Sequence, residues 1–598
     1  MKHSKTKRNA LAAAAVALAL SCVILAGSRA QATQGATAAQ SAASSATSSS
    51  STPSAPAAAV ATTLRVAPPA PVITDAERHA ELSARRERVR REVGPKSVLV
   101  MLGAEPRLYT GDVDYEYRQE NNLFYLTHLN QHGARLVLLP GGKSLREILF
   151  LPRRNPSRET WNGYMYSAED ARRISGLSEI WDAREFEPFV KALQAGEVYY
   201  PKQENVLLSP LRSLKATPTA GSGSTEMYDV LAVNLDAEYS QLFAAAAKNE
   251  ANVYLLAPER ALVRTPPSEA EAQALGEAPE WRQEIRFAER ERDKFKGYGW
   301  RSAFRIFSEM RLRKSPMELK LLQHAIDITI EGLGRAMGVA SRAKWEYEIE
   351  AEIEYTFKRR NADQWGYPSI VGCGPNATTL HYTESQGGVR TGELVLMDVG
   401  AEYQHYTADL TRTFPVSGKF TKEQAEIYQI VLDAQEAGMR AIKPGATRAD
   451  VHRAATEVIK DGLLRLGLIA ERDGTITVGG LAVPQYRIYF MHGTTHWLGM
   501  NVHDVGDGNP VLEPGMVFTN EPGIYVRGDA LTYLPKTPEA ERFAAAVRPA
   551  FEKYKNIGVR IEDDVLVTAD GYRNLSVALP RTIADVERFM ANVSREVR

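Results

Sequence analysis

The sequence predicts a protein of the mixed α/β (α+β) class, with an N-terminal mixed α/β domain and a C-terminal domain that contains an internal repeat. Its 598 residues are too many for one hydrophobic core, and 44% hydrophobic with 24% charged residues is typical of a folded protein in water. Strand-like and helical runs alternate in the first domain, whereas capped amphipathic helices and the repeat characterise the second.

The first 30 residues, 1–30, are predicted to be a secretory signal peptide. Four basic residues between Lys2 and Arg8 precede an apolar run from Ala10 to Gly27, and small residues follow in Ser28-Arg29-Ala30. The run is rich in alanine and weakly apolar, which favours cleavage over the alternative of a retained N-terminal membrane anchor. The protein is therefore expected to be exported, either periplasmic or secreted.

Residues 31–73 are predicted to be a low-complexity linker, because an Ala/Ser/Thr/Pro-rich stretch buries too little apolar surface to offset ordering entropy. No later segment is apolar enough to span a membrane, so no membrane span is expected after signal cleavage. Basic and acidic residues both number 73 and form no basic patch, which argues against nucleic-acid binding. After cleavage only Cys373 remains, so an internal disulfide is excluded.

The N-terminal domain is predicted to span residues 74–310. A helical pattern covers 75–93, where charged and apolar residues recur at helical spacing. Strand-like runs follow at 98–102, 135–139 and 147–151. An extended segment near residues 200–297 is less regular, and its role is left open.

The C-terminal domain is predicted to span residues 311–598, because strong helix start signals recur from there onward. The sequence Ser315-Pro316-Met317-Glu318 combines an N-cap serine, a proline at the first helical position and a capping-box glutamate. Two later capping sequences begin at Thr421 and Thr447 and open long amphipathic runs. These helices stand between strand-like segments, as an α+β domain requires.

An internal repeat lies in this domain. The segment GELVLMDVGAEY begins at Gly392 and GMVFTNEPGIY begins at Gly515, a constant offset of 123 residues. Each copy has a glycine, an apolar strand, a carboxylate and a second glycine, and the two carboxylates are Asp398 and Glu521. Chance similarity between two strand–turn units is the alternative. The favoured interpretation is a duplicated unit with a pseudo-twofold repeat, in which each half brings a carboxylate to a shared centre.

Two aspartates and three histidines are candidate site residues. Asp398 ends an apolar strand and Asp409 precedes the next, so a hairpin between them brings both side chains to one side of a sheet. His492, His496 and His503 lie within twelve residues, although the whole chain has only 11 histidines. Such a cluster beside flexible glycines favours a functional site over isolated buried histidines.

Two glutamates complete the candidate set. Glu521 lies in NEPGIY, and Glu562 lies in VRIEDDVLV, where Arg560, Glu562 and Asp563 interrupt an otherwise apolar strand. Buried charges are costly unless they are paired or bind a metal. Four carboxylates and one imidazole, His496, suit two divalent metal ions, Mn²⁺ before Zn²⁺ or Co²⁺. A pair of such ions lowers the pKa of a shared water and polarises an amide carbonyl.

Several of these motifs resemble one known family. The segments YPSIVGCGPNATTLHYTE, LVLMDVGAEYQHYTADLTRTFPVSGKFT, FMHGTTHWLGMNVHDVG, TNEPGIY and VRIEDD resemble Xaa-Pro aminopeptidases, also called aminopeptidase P. The similarity runs from about Arg311 to the C-terminus, and DVDYEYRQENNLFYLTHL, at 112–129, is similar to the N-terminal domain of the same enzymes. The resemblance implies a C-terminal pita-bread catalytic domain that cleaves the bond between an N-terminal residue and a penultimate proline.

The resemblance also implies roles for individual residues. Asp398 would bind one metal, Asp409 and Glu562 would bridge both, and His496 and Glu521 would complete the second metal's ligands. Glu521 would also orient the attacking water and take its proton. The remaining implied residues are His381, His492 and His503 around the substrate, Arg560 and Tyr525 beside the ligands, and Tyr382 and Asp112 at the substrate.

The implied partners are peptides with proline at the second position, and the same resemblance implies a homo-oligomer, either dimer or tetramer. A prolidase is the nearest alternative, because it shares the metal ligands but cuts only Xaa-Pro dipeptides. A non-catalytic pita-bread binding protein is the alternative from another class. That alternative is disfavoured because such proteins usually lack ligands, and all five are present here.

One long insertion separates the last two ligands. Residues 527–556 lie between Glu521 and Glu562, and a helix start is predicted at Thr537-Pro538-Glu539. The insertion either forms part of the rim of the active-site entrance or is a surface segment with no role at the site. The sequence leaves both interpretations open.

Overall fold

The computed structural model describes residues 60–141, 146–197, 199–209, 239–263, 282–506 and 508–597. The predicted signal peptide, most of the predicted linker and parts of the 200–297 segment lie outside these residues. The chain divides into two compact units. The N-terminal unit contains residues 69–321 and a short piece that starts at Val505, and the C-terminal unit contains the remainder.

The N-terminal unit is built on a mixed seven-stranded sheet in the order β7-β6-β5-β4-β1-β8-β9, and β2 and β3 form a separate hairpin. The strands are β1 (Ser97–Leu102), β2 (Leu108–Thr110), β3 (Val113–Asp114), β4 (Arg135–Leu139), β5 (Arg146–Leu151), β6 (Ile180–Asp182), β7 (Val206–Leu208), β8 (Ala251–Leu255) and β9 (Tyr298–Ser302). The helices are α1 (Asp75–Val93), α2 (Asn121–Thr127), α3 (Pro156–Asn162), α4 (Ala168–Ser175), α5 (Phe186–Ala195), α6 (Ser240–Ala246), α7 (Glu259–Val263), α8 (Arg282–Glu291) and α9 (Phe304–Leu312).

Local signals and burial explain these elements. Helix α1 begins where the Thr74 hydroxyl accepts a hydrogen bond from the Glu77 N–H, and ends at Gly94 in a positive-φ conformation. All six residues of β1 are buried, as expected for a strand inside a sheet. The described part of the 200–297 segment joins this core, because Leu255 and Phe287 pack in the same hydrophobic cluster as the β1 residues Val98 and Val100.

In its described residues, the C-terminal unit combines six helices with several small antiparallel sheets. The helices are α10 (Pro316–Val339), α11 (Glu346–Arg359), α12 (Lys422–Ala441), α13 (Arg448–Leu466), α14 (Pro538–Tyr554) and α15 (Ile583–Glu596). The strands are β10 (Gln364–Trp365), β11 (Ile370–Cys373), β12 (Leu394–Val399), β13 (Ala401–Tyr403), β14 (Tyr406–Thr407), β15 (Leu410–Pro415), β16 (Thr475–Val478), β17 (Leu481–Pro484), β18 (Val517–Asn520), β19 (Gly523–Tyr525), β20 (Gly558–Arg560), β21 (Asp563–Thr568) and β22 (Gly571–Asn574).

The internal repeat in the sequence is a repeat of structure. In the first half β12 pairs antiparallel with β15, and Asp409 lies immediately before β15. In the second half β18 pairs antiparallel with β21, and Glu562 lies immediately before β21. Asp398 lies near the end of β12, and Glu521 directly follows β18. Each half therefore carries one carboxylate at the end of its first strand and one before its second, which confirms the predicted internal repeat.

The VRIEDDVLV segment differs from the single interrupted strand that we expected. It divides into β20 and β21, because β20 pairs with β19 whereas β21 pairs with β18. Ile561 and Glu562 lie at the change of partner, and the Glu562 N–H donates to the carbonyl of Thr411. Because the chain changes its partner strand here, Glu562 belongs to neither β20 nor β21.

The predicted helix starts in this unit are confirmed. Thr421 forms a capping box with Gln424 at the start of α12, and Thr447 forms one with Asp450 at the start of α13. The helix of the 527–556 insertion begins after Thr537, whose hydroxyl accepts from the Ala540 N–H. Capping interactions are local in sequence, which is why these starts are predictable.

The described end of the predicted linker lies against the C-terminal unit. The backbone N–H groups of Leu64 and Ala67 donate to the carboxylates of Glu596 and Glu331. Arg65 pairs with Asp327 at 3.1 Å. Over the residues whose positions are described, no helix combines the length and apolar character needed to cross a membrane.

Candidate active site

Two carboxylates of the first half meet at one tyrosine. The Tyr367 hydroxyl oxygen lies 2.5 Å from Oδ1 of Asp398 and 2.5 Å from Oδ1 of Asp409. A hydroxyl has a single proton and can donate it to only one of the two carboxylates at a time. The pairing of β12 with β15 thus brings two carboxylates to one hydroxyl group. At any moment, one of the two carboxylates lacks a hydrogen bond from that hydroxyl.

A loop before β18 adds an imidazole. His496 Nε2 lies 3.1 Å from Oδ2 of Asp409 and 3.6 Å from Oε1 of Glu521. The loop is fixed to β18, because the Thr519 N–H donates to the carbonyl of His496 and the His496 N–H donates to the Thr519 hydroxyl. His496 is thereby held between a carboxylate of the first half and one of the second.

Glu562 closes the group from the second half. Asp409, His496 and Glu562 each offer one ligand atom, and these atoms all lie within 4.8 Å of one another. The Thr411 hydroxyl donates to Glu562 Oε2 at 2.6 Å, which orients the carboxylate. The structure therefore brings together all five side chains whose metal binding was predicted from sequence, namely Asp398, Asp409, His496, Glu521 and Glu562.

Burial and mutual repulsion dominate the electrostatics of these groups. Burial, and then the charge of Asp398, raises the pKa of Asp409, whereas burial and three neighbouring carboxylates raise that of Glu562 well above its ordinary value. Burial raises the pKa of Glu521 to about 7. Burial alone would lower the pKa of His496, but the neighbouring carboxylates Asp409 and Glu521 raise it to about 9. Without a bound cation, the site retains protons at neutral pH.

This donor set fits divalent cations. Four carboxylates and one imidazole offer the oxygen-rich ligation that hard and borderline divalent ions prefer. Asp409, Glu521 and Glu562 are buried beside other carboxylates, which raises the pKa of each, and bound cations would offset this repulsion. The convergence of Asp409, His496 and Glu562, whose ligand atoms all lie within 4.8 Å of one another, is the observation that best supports this fit.

A chain of polar contacts links the two repeat carboxylates, Asp398 and Glu521. The Arg560 guanidinium pairs with Asp398 and donates from Nη1 to the Tyr525 hydroxyl oxygen at 2.7 Å. The Tyr525 hydroxyl lies 2.9 Å from His492 Nε2, and His492 Nδ1 lies 2.6 Å from the carbonyl oxygen of Gly493. Since a carbonyl only accepts, Nδ1 carries the proton and Nε2 accepts from Tyr525. His492 Nδ1 also lies 3.6 Å from Oε2 of Glu521, which completes the chain.

The other predicted site residues have different surroundings. The His503 ring lies 4.2 Å from the His496 ring, and burial lowers the pKa of His503 to about 4. His381 is exposed, and the Tyr382 hydroxyl donates to Glu346 at 2.8 Å. Asp112 lies at the turn of the exposed β2–β3 hairpin in the N-terminal unit. Its contact with a substrate amine stays a prediction.

Sequence reasoning missed three polar residues that support the ligands. Tyr367 contacts Asp398 and Asp409, Thr411 contacts Glu562, and Asp564 accepts a hydrogen bond from the Asp409 N–H at 3.1 Å. Tyr367 and Asp564 stand in motifs that resemble the family, but their spacing to the ligands carries no signal. Only the folded hairpins bring them to the site.

Family models match both parts of the chain. The model for metallopeptidase family M24 matches residues 320–569, and the model for the aminopeptidase P N-terminal domain matches residues 82–199. An Xaa-Pro aminopeptidase of Haemophilus influenzae is 33% identical over 85% of this chain and 97% of that protein. Xaa-Pro aminopeptidase 1 of Streptomyces coelicolor is 32% identical over 88% of each.

Solved structures show the same similarity. A variant of Escherichia coli aminopeptidase P in complex with substrate is 28% identical and has a TM-score of 0.63, over 88% of this chain and 100% of that chain. The Pseudomonas aeruginosa aminopeptidase PepP is 28% identical with a TM-score of 0.62, over 86% of this chain and 99% of that chain. The similarity therefore extends over both units and not only over the site.

Proposed function

The chain belongs to the Xaa-Pro aminopeptidase (aminopeptidase P) family of M24 metallopeptidases, and from this premise we propose how its residues act. It hydrolyses the peptide bond between an N-terminal residue and a penultimate proline. The observation that supports this most strongly is the convergence of Asp409, His496 and Glu562 with the remaining carboxylates of both hairpins.

Two divalent cations occupy the site in this proposal, with Mn²⁺ preferred over Zn²⁺ or Co²⁺. Asp398, Asp409, His496, Glu521 and Glu562 hold them, because these side chains converge and four of them are carboxylates. When bound, the cations supply polarisation of the peptide carbonyl and a lowered pKa for the attacking water. Oxygen ligands outnumber nitrogen ligands four to one, which favours Mn²⁺.

Glu521 accepts the proton of the attacking water. Its carboxylate lies 3.6 Å from both His492 and His496, which can exchange protons with it, and in the metal-free site burial raises its pKa to about 7. His492 lies 3.6 Å away and stays neutral, because burial lowers its pKa to about 3. Arg560 and Tyr525 hold His492 and Asp398 in fixed orientations.

The preference for proline has a physical basis. A bond before proline is a tertiary amide with no N–H, so a protease that pairs with its substrate as a regular strand binds it poorly. We assign the proline ring to the surface formed by His492 and His503, with His381 nearby. These rings offer apolar faces and no backbone donor that needs a substrate partner.

A peptide panel tests this function. Ala-Pro-Ala, Ala-Ala-Ala and the dipeptide Ala-Pro are incubated with the protein and with Mn²⁺, Zn²⁺ or Co²⁺, and the released products are quantified. We expect alanine release from Ala-Pro-Ala, at least about tenfold slower release from Ala-Ala-Ala, and Mn²⁺ as the best activator. Preference for the dipeptide would assign a prolidase, and no turnover with any metal would leave a binding protein.

Self-association is proposed from the β2–β3 hairpin. Leu108, Tyr109, Val113 and Tyr115 lie on or next to this hairpin and are between 52% and 63% exposed, an unusual apolar surface for a monomer. A homodimer or tetramer would bury it. Light scattering of the full chain after size-exclusion chromatography tests the proposal, and a strictly monomeric mass would reject it.

Export is proposed from the signal pattern alone, with cleavage after Ala30. Mass spectrometry of the N-terminus of the protein isolated from its cells is the test. A mature chain that begins at Gln31 is the expected result. A chain that retains residues 1–30 in a membrane fraction would support a retained anchor instead.

A further inference from the structure

The loop that carries two of the site histidines has no regular secondary structure. Residues 491–496 contain His492 and His496, and both must hold fixed positions for the proposed chemistry. On one side the loop is tied to the strand region by two backbone bonds, from the Glu521 N–H to the Thr494 carbonyl and from the Thr519 N–H to the His496 carbonyl. The opposite side of the loop faces helix α13.

Two residues of α13 contact this opposite side. Arg448 Nη1 donates to the carbonyl oxygen of Thr495 at 3.0 Å, and the guanidinium lies 4.5 Å from the centre of the Trp497 ring. His452 Nδ1 lies 2.8 Å from the hydroxyl oxygen of Thr494, whose side chain is fully buried. The two residues are four apart, so they project from the same face of the helix.

The position of Arg448 is unfavourable for the helix itself. It occupies the first turn of α13, where the helix dipole disfavours a positive charge. Its Nε is buried and has no hydrogen-bond partner within the described chain, and burial lowers the pKa of the guanidinium. Neither helix stability nor a surface ion pair accounts for an arginine here. The contacts of Arg448 with Thr495 and Trp497 do account for an arginine at this position.

His452 reaches the site through aromatic packing as well. Its ring lies 5.7 Å from that of Phe490, and the Phe490 ring lies 5.2 Å from that of His492. His452 thus contacts both ends of the segment around His492, through Thr494 on one side and Phe490 on the other. Arg448 does the same around His496, since it contacts Thr495 before it and Trp497 after it.

We propose that Arg448 and His452 are positioning residues, which clamp the 491–496 loop against the strand region so that His492 and His496 meet the carboxylates. The inference rests on the proposed function for its kinetic consequence. Its consequence for cation binding is independent of which peptide is cut. Groups that hold a ligand in place usually contribute about 10- to 100-fold to metal affinity or activity.

The test uses the full mature chain, depleted of metal and titrated with Mn²⁺ by calorimetry, together with steady-state kinetics on Ala-Pro-Ala. Arg448→Met and His452→Phe keep side-chain bulk but remove the polar contacts. Each is expected to weaken Mn²⁺ binding about tenfold and to lower kcat about tenfold, with KM changed less than twofold. Arg448→Lys and His452→Asn retain a donor and are expected to recover to within about threefold of wild type.

Arg465→Met is the matched control, because Arg465 is exposed at the far end of the same helix. It should bind Mn²⁺ and turn over substrate like wild type. Wild-type Mn²⁺ affinity and kcat in the folded fraction of Arg448→Met and His452→Phe would overturn the proposal, even if these variants melt at lower temperature. If wild type cut no proline peptide, the proposed function would fail, and the calorimetry alone would still decide between a clamp and a structural contact.

Discussion

Asp398 and Glu521 occupy equivalent positions in the two halves of the repeat, yet their surroundings differ. Their side chains are almost equally buried, 13% exposed for Asp398 and 15% for Glu521. Asp398 pairs with the guanidinium of Arg560 and contacts the Tyr367 hydroxyl. Among the described residues, the ion pairs of Glu521 are with His492 and His496 and include no arginine or lysine, although the charge of Arg560 still acts on it.

The difference shows how a duplicated unit acquires two roles. An arginine keeps its charge at every relevant pH, so Asp398 always has a positive partner in contact. Histidines exchange protons, and His492 and His496 each lie 3.6 Å from Glu521, so Glu521 can both bind a cation and transfer a proton. The division of labour comes from neighbouring charges and not from the depth of burial.

The largest expected effect comes from removing the proton acceptor. Glu521→Gln should lower kcat on Ala-Pro-Ala by about 10³-fold or more, because an amide accepts no proton and binds a cation weakly. Initial-rate kinetics at saturating Mn²⁺ measure this change. Glu552→Gln, on the exposed face of α14, is the control and should leave kcat unchanged. Undiminished turnover by Glu521→Gln would contradict the role assigned to this half of the repeat.

Removing the permanent positive charge of Arg560 should have the next largest effect. Arg560→Met leaves Asp398 buried without its partner and leaves Tyr525 without the Nη1 donor. We expect kcat to fall about 100-fold and unfolding stability to fall by about 3 kcal/mol. Kinetics and chemical denaturation measure the two quantities. A variant with the stability of wild type would show that Asp398 does not depend on Arg560.

The pH dependence of stability separates the metal-free and metal-bound protein. In the metal-free state, the pKa of Glu521 is raised to about 7 and that of Glu562 well above the ordinary 4.5. The folded state therefore binds more protons than the unfolded state above pH 4.5, and its stability falls as pH rises toward and beyond 7. Bound divalent cations take the place of those protons, so the metal-bound protein should not lose this stability as pH rises.

Thermal unfolding between pH 5 and pH 8, with EDTA or Mn²⁺, measures this linkage. At pH 8, Mn²⁺ at one hundred times its Kd should add about 2.7 kcal/mol of stability. The same Mn²⁺ concentration should add less stability at pH 5, because protons compete with the cation for the carboxylates. A gain that is equal at both pH values would mean that the raised carboxyl groups do not bind the cation.

The smallest expected effect concerns the tyrosine of the first half. Tyr367→Phe removes the hydroxyl that lies 2.5 Å from both Asp398 and Asp409. Mn²⁺ affinity should fall about tenfold, with little change in KM for the peptide. Calorimetric titration measures the affinity. Tyr382→Phe is a useful comparison, since its hydroxyl bonds to Glu346 and not to a metal ligand.

Local features of this protein were predictable from sequence, and distant contacts were not. The helix starts at Thr421 and Thr447 and the Asp398–Asp409 hairpin depend on residues close in the chain. The pairing of Arg560 with Asp398 joins residues 162 positions apart, and no periodicity encodes it. The composition of residues 31–73 indicates a tether, whereas the bond from Ala67 to Glu331 spans 264 positions.

The most direct test is the number of cations that each chain binds. Purified wild type, dialysed against Mn²⁺ and then against metal-free buffer, is examined by elemental analysis and by native mass spectrometry. The two hairpins and His496 predict two Mn²⁺ per chain, falling to one or none in Asp409→Asn and Glu562→Gln. A fully active wild-type enzyme that binds no cation, or variants that still bind two, would contradict the shared metal centre.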